Sequence, residues 1–308
     1  MKDNVIELET TYNSLFVEID LGYICNYRCS YCNTTNHSGN KWLELNVVKH
    51  FIDSVKPDVV SLVGGEPTFY PHIKEILQYL KEKNMLTMLI TNNSVPLKWW
   101  KDNIHLIDKV VASYHIEFAD FEKFKENIIF IKDYSYVTIN FSMVYGRFDE
   151  CWNLIQQLKE INNLFITIKL LNNQKTRKLY AYTKKQLEKA KKPIITKLTE
   201  RINKNYLPIA KIFEIYDNNT KKEIYPHELI ASQENKFKGW LCWKGINILK
   251  VEGNGDIYKA ICEAKTEKFK PFASIYDDKI IVPKEPEICQ KELCTCIGDL
   301  KYLRKERI

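Results

Sequence analysis

From residue 16 to about residue 171, strand-like and helix-like stretches alternate, and no other feature of the chain restricts its fold as strongly. Residues 16–21, 58–63, 86–91, 106–113, 136–144 and 164–171 read as strands. Between them, residues 46–55, 71–83, 97–103, 120–132 and 149–160 read as helices, with Asn46 as an N-cap. In the stretch 71–83, Ile73, Ile76, Leu77 and Leu80 fall on one helical face, with Pro71 near its start. Six such repeats make a parallel sheet with helices outside it, because a parallel connection needs a crossover long enough to hold a helix. Periodicity leaves open both a doubly wound sheet and an open barrel. In βα-barrels chemistry gathers where the strands end, so the polar clusters at those ends are the candidate site residues.

The first strand runs into Cys25-Asn26-Tyr27-Arg28-Cys29-Ser30-Tyr31-Cys32. Three cysteines spaced CxxxCxxC cannot all pair as disulfides, and a turn of this length lets three sulfurs face one point. Soft thiolates select iron–sulfur clusters or zinc. Zinc normally takes four protein ligands, and the only nearby fourth candidate, His37, sits in a polar stretch. A cubane cluster held by three thiolates keeps one iron open to a small molecule. The plain alternative is three buried free thiols, which do not need this spacing.

Composition sets the context. The chain has 308 residues, 45% of them hydrophobic, enough for one large or two modest domains. No apolar run approaches the ~20 residues that span a bilayer, and residues 1–11 lack a signal-peptide apolar region. A cytoplasmic location is expected, where nine cysteines serve metals or catalysis rather than disulfides. The net charge of +7 reads as a solvated lysine-rich surface or as attraction to an anionic partner. Basic runs at residues 184–185, 189–192 and 301–307 read as exposed helix faces or a terminus, and no nucleic-acid motif accompanies them.

Further polar clusters close the later strands. Gly64-Gly65-Glu66-Pro67 follows the second strand; two glycines allow close approach of backbone to a ligand and positive φ, and Pro67 stiffens the exit. Thr91-Asn92-Asn93-Ser94 ends the third, where an Asn/Ser turn could equally cap the next helix. Ser113-Tyr114-His115 ends the fourth, with Glu117 beyond it, and His115 is the candidate for proton transfer. Asn140 and Ser142 share one face of the fifth strand by alternation. Lys169 lies in an apolar sixth strand, where an unpaired charge is costly, so it is expected to point inward at ligand carboxylates or to snorkel at an edge.

CxxxCxxC with Tyr31 before the last cysteine, joined to Gly64 to Pro67, resembles the radical S-adenosylmethionine (SAM) superfamily. The resemblance covers residues 14–171 well. It implies a partial (β/α)6 TIM-like barrel and a [4Fe-4S] cluster on Cys25, Cys29 and Cys32, whose open iron chelates SAM. It further implies that the polar groups of Gly64, Gly65, Glu66 and Pro67 bind the SAM ammonium, and that Thr91, Asn93, Ser113, Asn140, Ser142, Lys169 and Tyr31 line the cofactor. The implied chemistry is reductive cleavage of SAM to a 5′-deoxyadenosyl radical that takes hydrogen from an unactivated carbon, with flavodoxin or ferredoxin as reductant.

Residues 172–235 differ: they are rich in Lys and Asn and read as a connector or substrate-facing insertion, with a helix over 183–191 and a hairpin of 206–215 with 222–225 around Asp217-Asn218-Asn219. Residues 236–308 form a small cysteine-rich domain of β-hairpin and helix, residues 1–13 an N-terminal extension. Cys242 and Cys262 bracket a hairpin turning at Glu252 to Asp256, and Cys289, Cys294 and Cys296 return in a tight knuckle, which is metal-site logic; zinc is possible. The arrangement resembles the twitch type of auxiliary-cluster domain, a shortened SPASM domain, and implies a second [4Fe-4S] cluster. The match is loose: six residues separate Gly255 from Cys262, and five cysteines are one more than a cluster needs. Cys242, Cys262 and Cys294 are the firmer ligands; Cys289 and Cys296 compete for the last place. Cys151 reads as a buried or partly exposed thiol, or as the hydrogen-atom donor that radical epimerases need. The expected substrate is a sugar, nucleotide or other small-molecule natural product, undergoing oxidation, epimerisation or rearrangement. A peptide or protein is the alternative, disfavoured because about a dozen residues precede the first strand. A zinc-binding module without turnover is the alternative of another class. No membrane or nucleic-acid partner is expected.

Overall fold

A computed structural model describes residues 4–11, 14–32, 41–173, 178–199, 211–264 and 268–308. His37 and the start of the expected 206–215 strand lie outside the described residues. In chain order the elements begin with β1 (Val5–Thr10), β2 (Phe16–Asp20), α1 (Leu45–Val55) and β3 (Val59–Val63). Next come α2 (Ile73–Glu82), β4 (Leu86–Thr91), α3 (Leu97–Asn103), β5 (Lys109–Tyr114), α4 (Phe121–Ile131) and β6 (Tyr136–Met143). Then follow α5 (Phe148–Leu158), β7 (Leu164–Leu170), α6 (Lys184–Ala190), β8 (Ile194–Ile195), β9 (Ile212–Tyr216), β10 (Lys221–Ile224) and α7 (Pro226–Ala231). The last elements are β11 (Leu241–Cys242), β12 (Ile248–Val251), β13 (Asp256–Tyr258), α8 (Ile261–Ala264), β14 (Ala273–Ser274), β15 (Glu287–Ile288), α9 (Ile297–Tyr302) and β16 (Lys305–Glu306). The fold is mixed α/β with a parallel sheet. Among the described residues no helix is long and apolar enough to cross a membrane.

The chain divides into two compact units, residues 1–20, 43–61 and 208–308, and residues 21–42 and 62–207. In the first unit β10-β9-β1-β16-β11-β15 form one sheet. The N-terminal extension therefore contains a strand, β1, antiparallel to both β9 and β16. Its glutamates, Glu7 and Glu9, obscure it in the sequence because Glu is a poor strand former. Separately, β14, β13 and β12 line up beside β2, with β12 parallel to β2. The hairpins expected at 217–219 and 252–256 are β9–β10 and β12–β13. α1 starts one residue earlier than expected; Glu44, not Asn46, holds the N-cap position and makes no side-chain cap bond.

In the second unit β4, β5, β6 and β7 run parallel in sequence order. Their register puts Ser113, Asn140 and Thr167 in one row and Ser142 beside Lys169. The opposite face carries Ala112, Tyr114, Ile139, Phe141 and Ile168, and Tyr114 packs there on Phe121 and Phe124 of α4, with centroids 5.7 and 5.1 Å apart. Helices thus cover the apolar face, and the polar rows lie on the other, by the period of two.

Lys250 of the first unit is 2% exposed. The parallel register sets it opposite Glu18, and its ammonium reaches Glu18 at 3.0 Å and Asp20 at 2.5 Å. Taking away one member of such a group strands the others without compensation. Lys250→Met is expected to cost about 3 kcal/mol, read as a lower urea midpoint in equilibrium unfolding; a loss under about 0.5 kcal/mol would show that the group contributes no more than a surface pair.

Candidate functional site

The cysteine loop is tied to the end of β3 by backbone alone. Leu21 N donates to Val63 O at 3.0 Å, Gly65 N to Gly22 O at 2.9 Å and Glu66 N to Ile24 O at 2.8 Å. Gly64 has φ +136, and a Cβ there would lie 2.5 Å from Gly22 O; one on Gly65 would lie 2.2 Å from Ile24 O. The sequence suggests that the two glycines clear room for a ligand. They also clear room for the cysteine loop itself.

Glu66 is fully buried. Its carboxylate accepts from Thr91 Oγ1 and Asn92 N, both at 2.6 Å, and from Thr68 Oγ1 at 2.7 Å and Thr68 N at 3.2 Å. Burial raises its pKa and these four bonds oppose the rise. A carboxylate engaged in this way joins β3 to the end of β4.

The turn after β4 reaches back to the loop. Asn92 Nδ2 donates to Asn26 Oδ1 at 2.8 Å, Asn26 Nδ2 to Ser94 Oγ at 3.0 Å, and Ser94 N to Asn92 Oδ1 at 3.0 Å. Asn93, singled out from sequence, instead donates to the carbonyl of Phe124 at 3.1 Å and is 1% exposed. Alternation accounts for this: Thr91 shares its row with Ala112 on the helix-covered face, and Asn92 is the next residue along. On the far side Glu117 accepts from Ser30 N at 2.7 Å and from Ser30 Oγ at 2.5 Å. The loop is thus held at Gly22 to Ile24, at Asn26 and at Ser30. Sequence reasoning passed over the roles of Asn92 and Glu117 because an Asn in a turn and a Glu after a His are common.

Within the loop Tyr27 N donates to Cys25 Sγ at 3.3 Å and Cys32 N to Cys29 O at 3.0 Å, while Arg28 Nη1 donates to Cys25 O at 2.5 Å. Burial raises the Cys25 thiol and pushes Cys29 up to about 12; Cys32 raises both, and Cys25 and Glu117 add to Cys29. The three thiols therefore crowd one another electrostatically, and none is in a disulfide. Among the described residues no three His, Cys, Asp or Glu side chains are arranged to hold a single metal ion. The thiolates of one cubane each bind a different iron, so they stand farther apart than the ligands of one ion. The donor set, three crowded sulfurs free of disulfides, fits a cluster that takes up thiolates.

Tyr31 OH lies 2.9 Å from His115 Nδ1. Burial and the neighbouring thiol Cys29 raise the Tyr31 pKa, so its hydroxyl stays protonated beside the imidazole. Burial, then Lys169, pushes His115 down to about 3. Lys169 is exposed at the end of β7, so the burial cost expected for its charge does not arise. Ser113 and Ser142 are buried, and Asn140 Oδ1 accepts from Thr167 Oγ1 at 2.5 Å. Cys151 is buried in α5 with Sγ 3.8 Å from Ser142 O, its thiol pushed up to about 11 by burial.

The family model for the radical SAM superfamily matches residues 19–194, more than half of the chain. The chain belongs to the radical SAM superfamily. Radical SAM proteins use a [4Fe-4S] cluster and SAM, and the fold here is their partial barrel. Among curated relatives, the protein named "Putative glycyl-radical enzyme activating enzyme" of Methanocaldococcus jannaschii is 30% identical over 109 residues, 34% of this chain and 40% of that protein. The "Probable GTP 3',8-cyclase" of Saccharolobus islandicus is 30% identical over 110 residues, 32% of this chain and 34% of that protein. The chain thus spans less than half the length of these relatives. Among solved structures, Streptococcus suis SuiB bound to precursor peptide SuiA has a TM-score of 0.54 at 15% identity, covering 86% of this chain and 63% of that one. Native anSMEcpe with bound AdoMet has a TM-score of 0.54 at 15% identity, covering 85% and 78%.

This radical SAM chain carries a second cysteine set in its first unit. Burial is the largest cause of the raised pKa values of Cys242, Cys262 and Cys294, with Cys242 pushed up to about 11. Cys262 also feels Cys294 and Cys242, and Cys294 feels Cys242 and Cys296, while Cys289 bears on Cys242. Cys242, Cys262 and Cys294 thus form one group, with Cys289 bearing on Cys242 and Cys296 on Cys294. Asp299, fully buried, accepts from Ile261 N at 3.0 Å and from Cys262 N at 2.7 Å and so positions Cys262. The hairpin between Cys242 and Cys262 is held by Lys244, 2.7 Å from Glu263 and 3.0 Å from Glu287.

Two outcomes follow from the loop's supports. Gly65→Ala must move either the cysteine loop or the end of β3; iron bound after anaerobic reconstitution is expected to fall by the share held at Cys25, Cys29 and Cys32, and full loading would show that the seam yields without cost. His115 has its folded pKa below the unfolded value of ~6.5, so the stability it contributes is present above that pH and is lost as pH falls toward 3. Apoprotein urea midpoints should drop between pH 7 and pH 4, and the drop should be smaller in His115→Asn.

Proposed function

We propose that Cys25, Cys29 and Cys32 hold the SAM-binding cluster and that the protein abstracts hydrogen from an unactivated carbon of a small molecule, a sugar, a nucleotide or a related natural product. The observation that carries this reading is the convergence of three polar supports on the cysteine loop: the Gly64 to Glu66 seam, the Asn92–Asn26 bond and the Glu117–Ser30 bond. When bound, the cluster and SAM supply a reductive cleavage that generates the hydrogen-abstracting radical, with flavodoxin or ferredoxin as electron source.

The chain's own residues bind and orient. Glu66 and Pro67 stiffen the turn through their local bonds, so the backbone of Gly64 to Glu66 is the part offered to the SAM ammonium. His115, neutral and oriented through Nδ1 by Tyr31, offers its ring to the ligand. Ser113, Asn140, Ser142 and Lys169 offer hydrogen bonds and one cation from the polar face of β5 to β7 to the carboxylate and ribose of SAM or to substrate. Thr91 and Asn93 act one step back, through Glu66 and α4. Cys151 sits against the Ser142 carbonyl and serves packing. Cys242, Cys262 and Cys294, with Cys289 or Cys296, hold an auxiliary cluster. The domain limits proposed are those at residues 14–171, 172–235 and 236–308. The proposed location is the cytoplasm, where nine free thiols stay reduced.

The nucleotide arm is supported by the GTP cyclase relative. A peptide substrate is the second reading, supported by the SuiB neighbour, whose structure contains the precursor peptide SuiA. Incubation with deuterated candidates, followed by mass spectrometry of 5′-deoxyadenosine, separates them: label is expected from a small molecule, and label from a peptide alone replaces the first reading with the second. Cys25→Ala, Cys29→Ala and Cys32→Ala combined are expected to abolish SAM cleavage; retained cleavage removes the site assignment.

A further inference from the structure

The basic run at residues 301–307 reads from sequence as an exposed terminus, yet Lys301 is 6% exposed and Lys305 only 1%. Lys305 lies in β16, whose register sets it directly opposite Cys242 in β11. Its ammonium donates to the carbonyls of Asp299 at 3.0 Å and Leu303 at 3.1 Å and lies 5.1 Å from the ring of Phe237. It does not donate to the Asp299 carboxylate, whose two oxygens are taken by Ile261 N and Cys262 N.

A cation sealed from water needs a counter-charge, because two carbonyl dipoles do not replace its hydration. The groups on which Lys305 bears electrostatically are Cys294, Cys242, Asp299 and Cys262. Asp299 is the carboxylate among them, and the three cysteines add thiolate charge when they ligate iron. Four thiolates on a cubane leave a net negative centre, and net charge and hydrogen bonding around such a centre set its potential. The loop at Cys25 to Cys32 is built differently: Arg28, a cation that bears on Cys25, is exposed, and the carboxylates Glu66 and Glu117 bear on its thiols.

Resting on the reading that the C-terminal cysteines hold a cluster, we propose that Lys305 is the built-in counter-charge of that centre, a positioning residue that stabilises its more negative, reduced form and so raises its potential above that of a site lacking the cation. This residue acts through the ligands and touches no substrate.

The test uses the full chain with Cys25→Ala, Cys29→Ala and Cys32→Ala, so that only the second set can load. Its iron content and the midpoint potential of its cluster are compared with those of the same protein carrying Lys305→Met or Lys305→Arg. About 4 irons are expected in the parent; none would overturn the cluster reading itself, before any Lys305 variant is made. With the parent loaded, a lower potential in Lys305→Met and a near-parent value in Lys305→Arg support the counter-charge. Loss of iron in Lys305→Met with retention in Lys305→Arg also supports it, because charge rather than shape is then what the centre requires. An unchanged potential in a loaded Lys305→Met protein overturns the proposal, as does equal loss of iron in both variants.

Discussion

The seam between Gly22 to Ile24 and Gly64 to Glu66 is the contact on which the cysteine loop depends. Two backbones approach so closely that no Cβ fits between them at either Gly64 or Gly65. Its hydrogen bonds carry the end of β3 into the loop. Glu66 then extends the same connection to Thr91 and Asn92 at the end of β4. A loop with three crowded thiols has no inherent reason to keep one shape. Here it is fixed at Gly22 and Ile24 by backbone, at Asn26 by an amide pair and at Ser30 by a carboxylate. Ligand groups held rigid by a bonded outer layer are what a metal site requires.

The two cysteine sets differ in their surroundings in ways that matter for electron transfer. Carboxylates and an exposed arginine border the first. A buried lysine, a buried aspartate and a shell of core residues border the second. Burial drives Cys25 and Cys29 in the first set, and Cys242, Cys262 and Cys294 in the second, toward the neutral form, so these would release protons on taking up iron. The two sets thus sit in different charge settings within one chain.

Much of this was legible in the sequence. The alternation of periods two and 3.6 exposed the strands from Phe16 to Leu170 and their helices, and turn residues located the β9–β10 and β12–β13 hairpins. The cysteine spacing and Gly64 to Pro67 pointed to the superfamily that the family match then showed. The misreadings have specific causes. β1 is interrupted by glutamates and is stabilised by partners more than 200 positions away. Asn93 and Asn92 are chemically alike, and only the strand's register decides which faces the loop. Lys305, in a basic tail that reads as exposed, is buried, whereas Lys169 takes the solvent-facing one of the two places its sequence allows.

Local pattern alone therefore determined which elements form, where the thiols cluster and which kind of cofactor they suit, because periodicity, turn chemistry and ligand softness act over a few residues. Tertiary structure decided what each polar side chain is for. Whether Glu66 meets a ligand or a threonine, and whether Lys305 meets water or Cys242, depends on which strands become neighbours and in what register. Those pairings join residues tens to hundreds of positions apart, and no short window of sequence contains both partners.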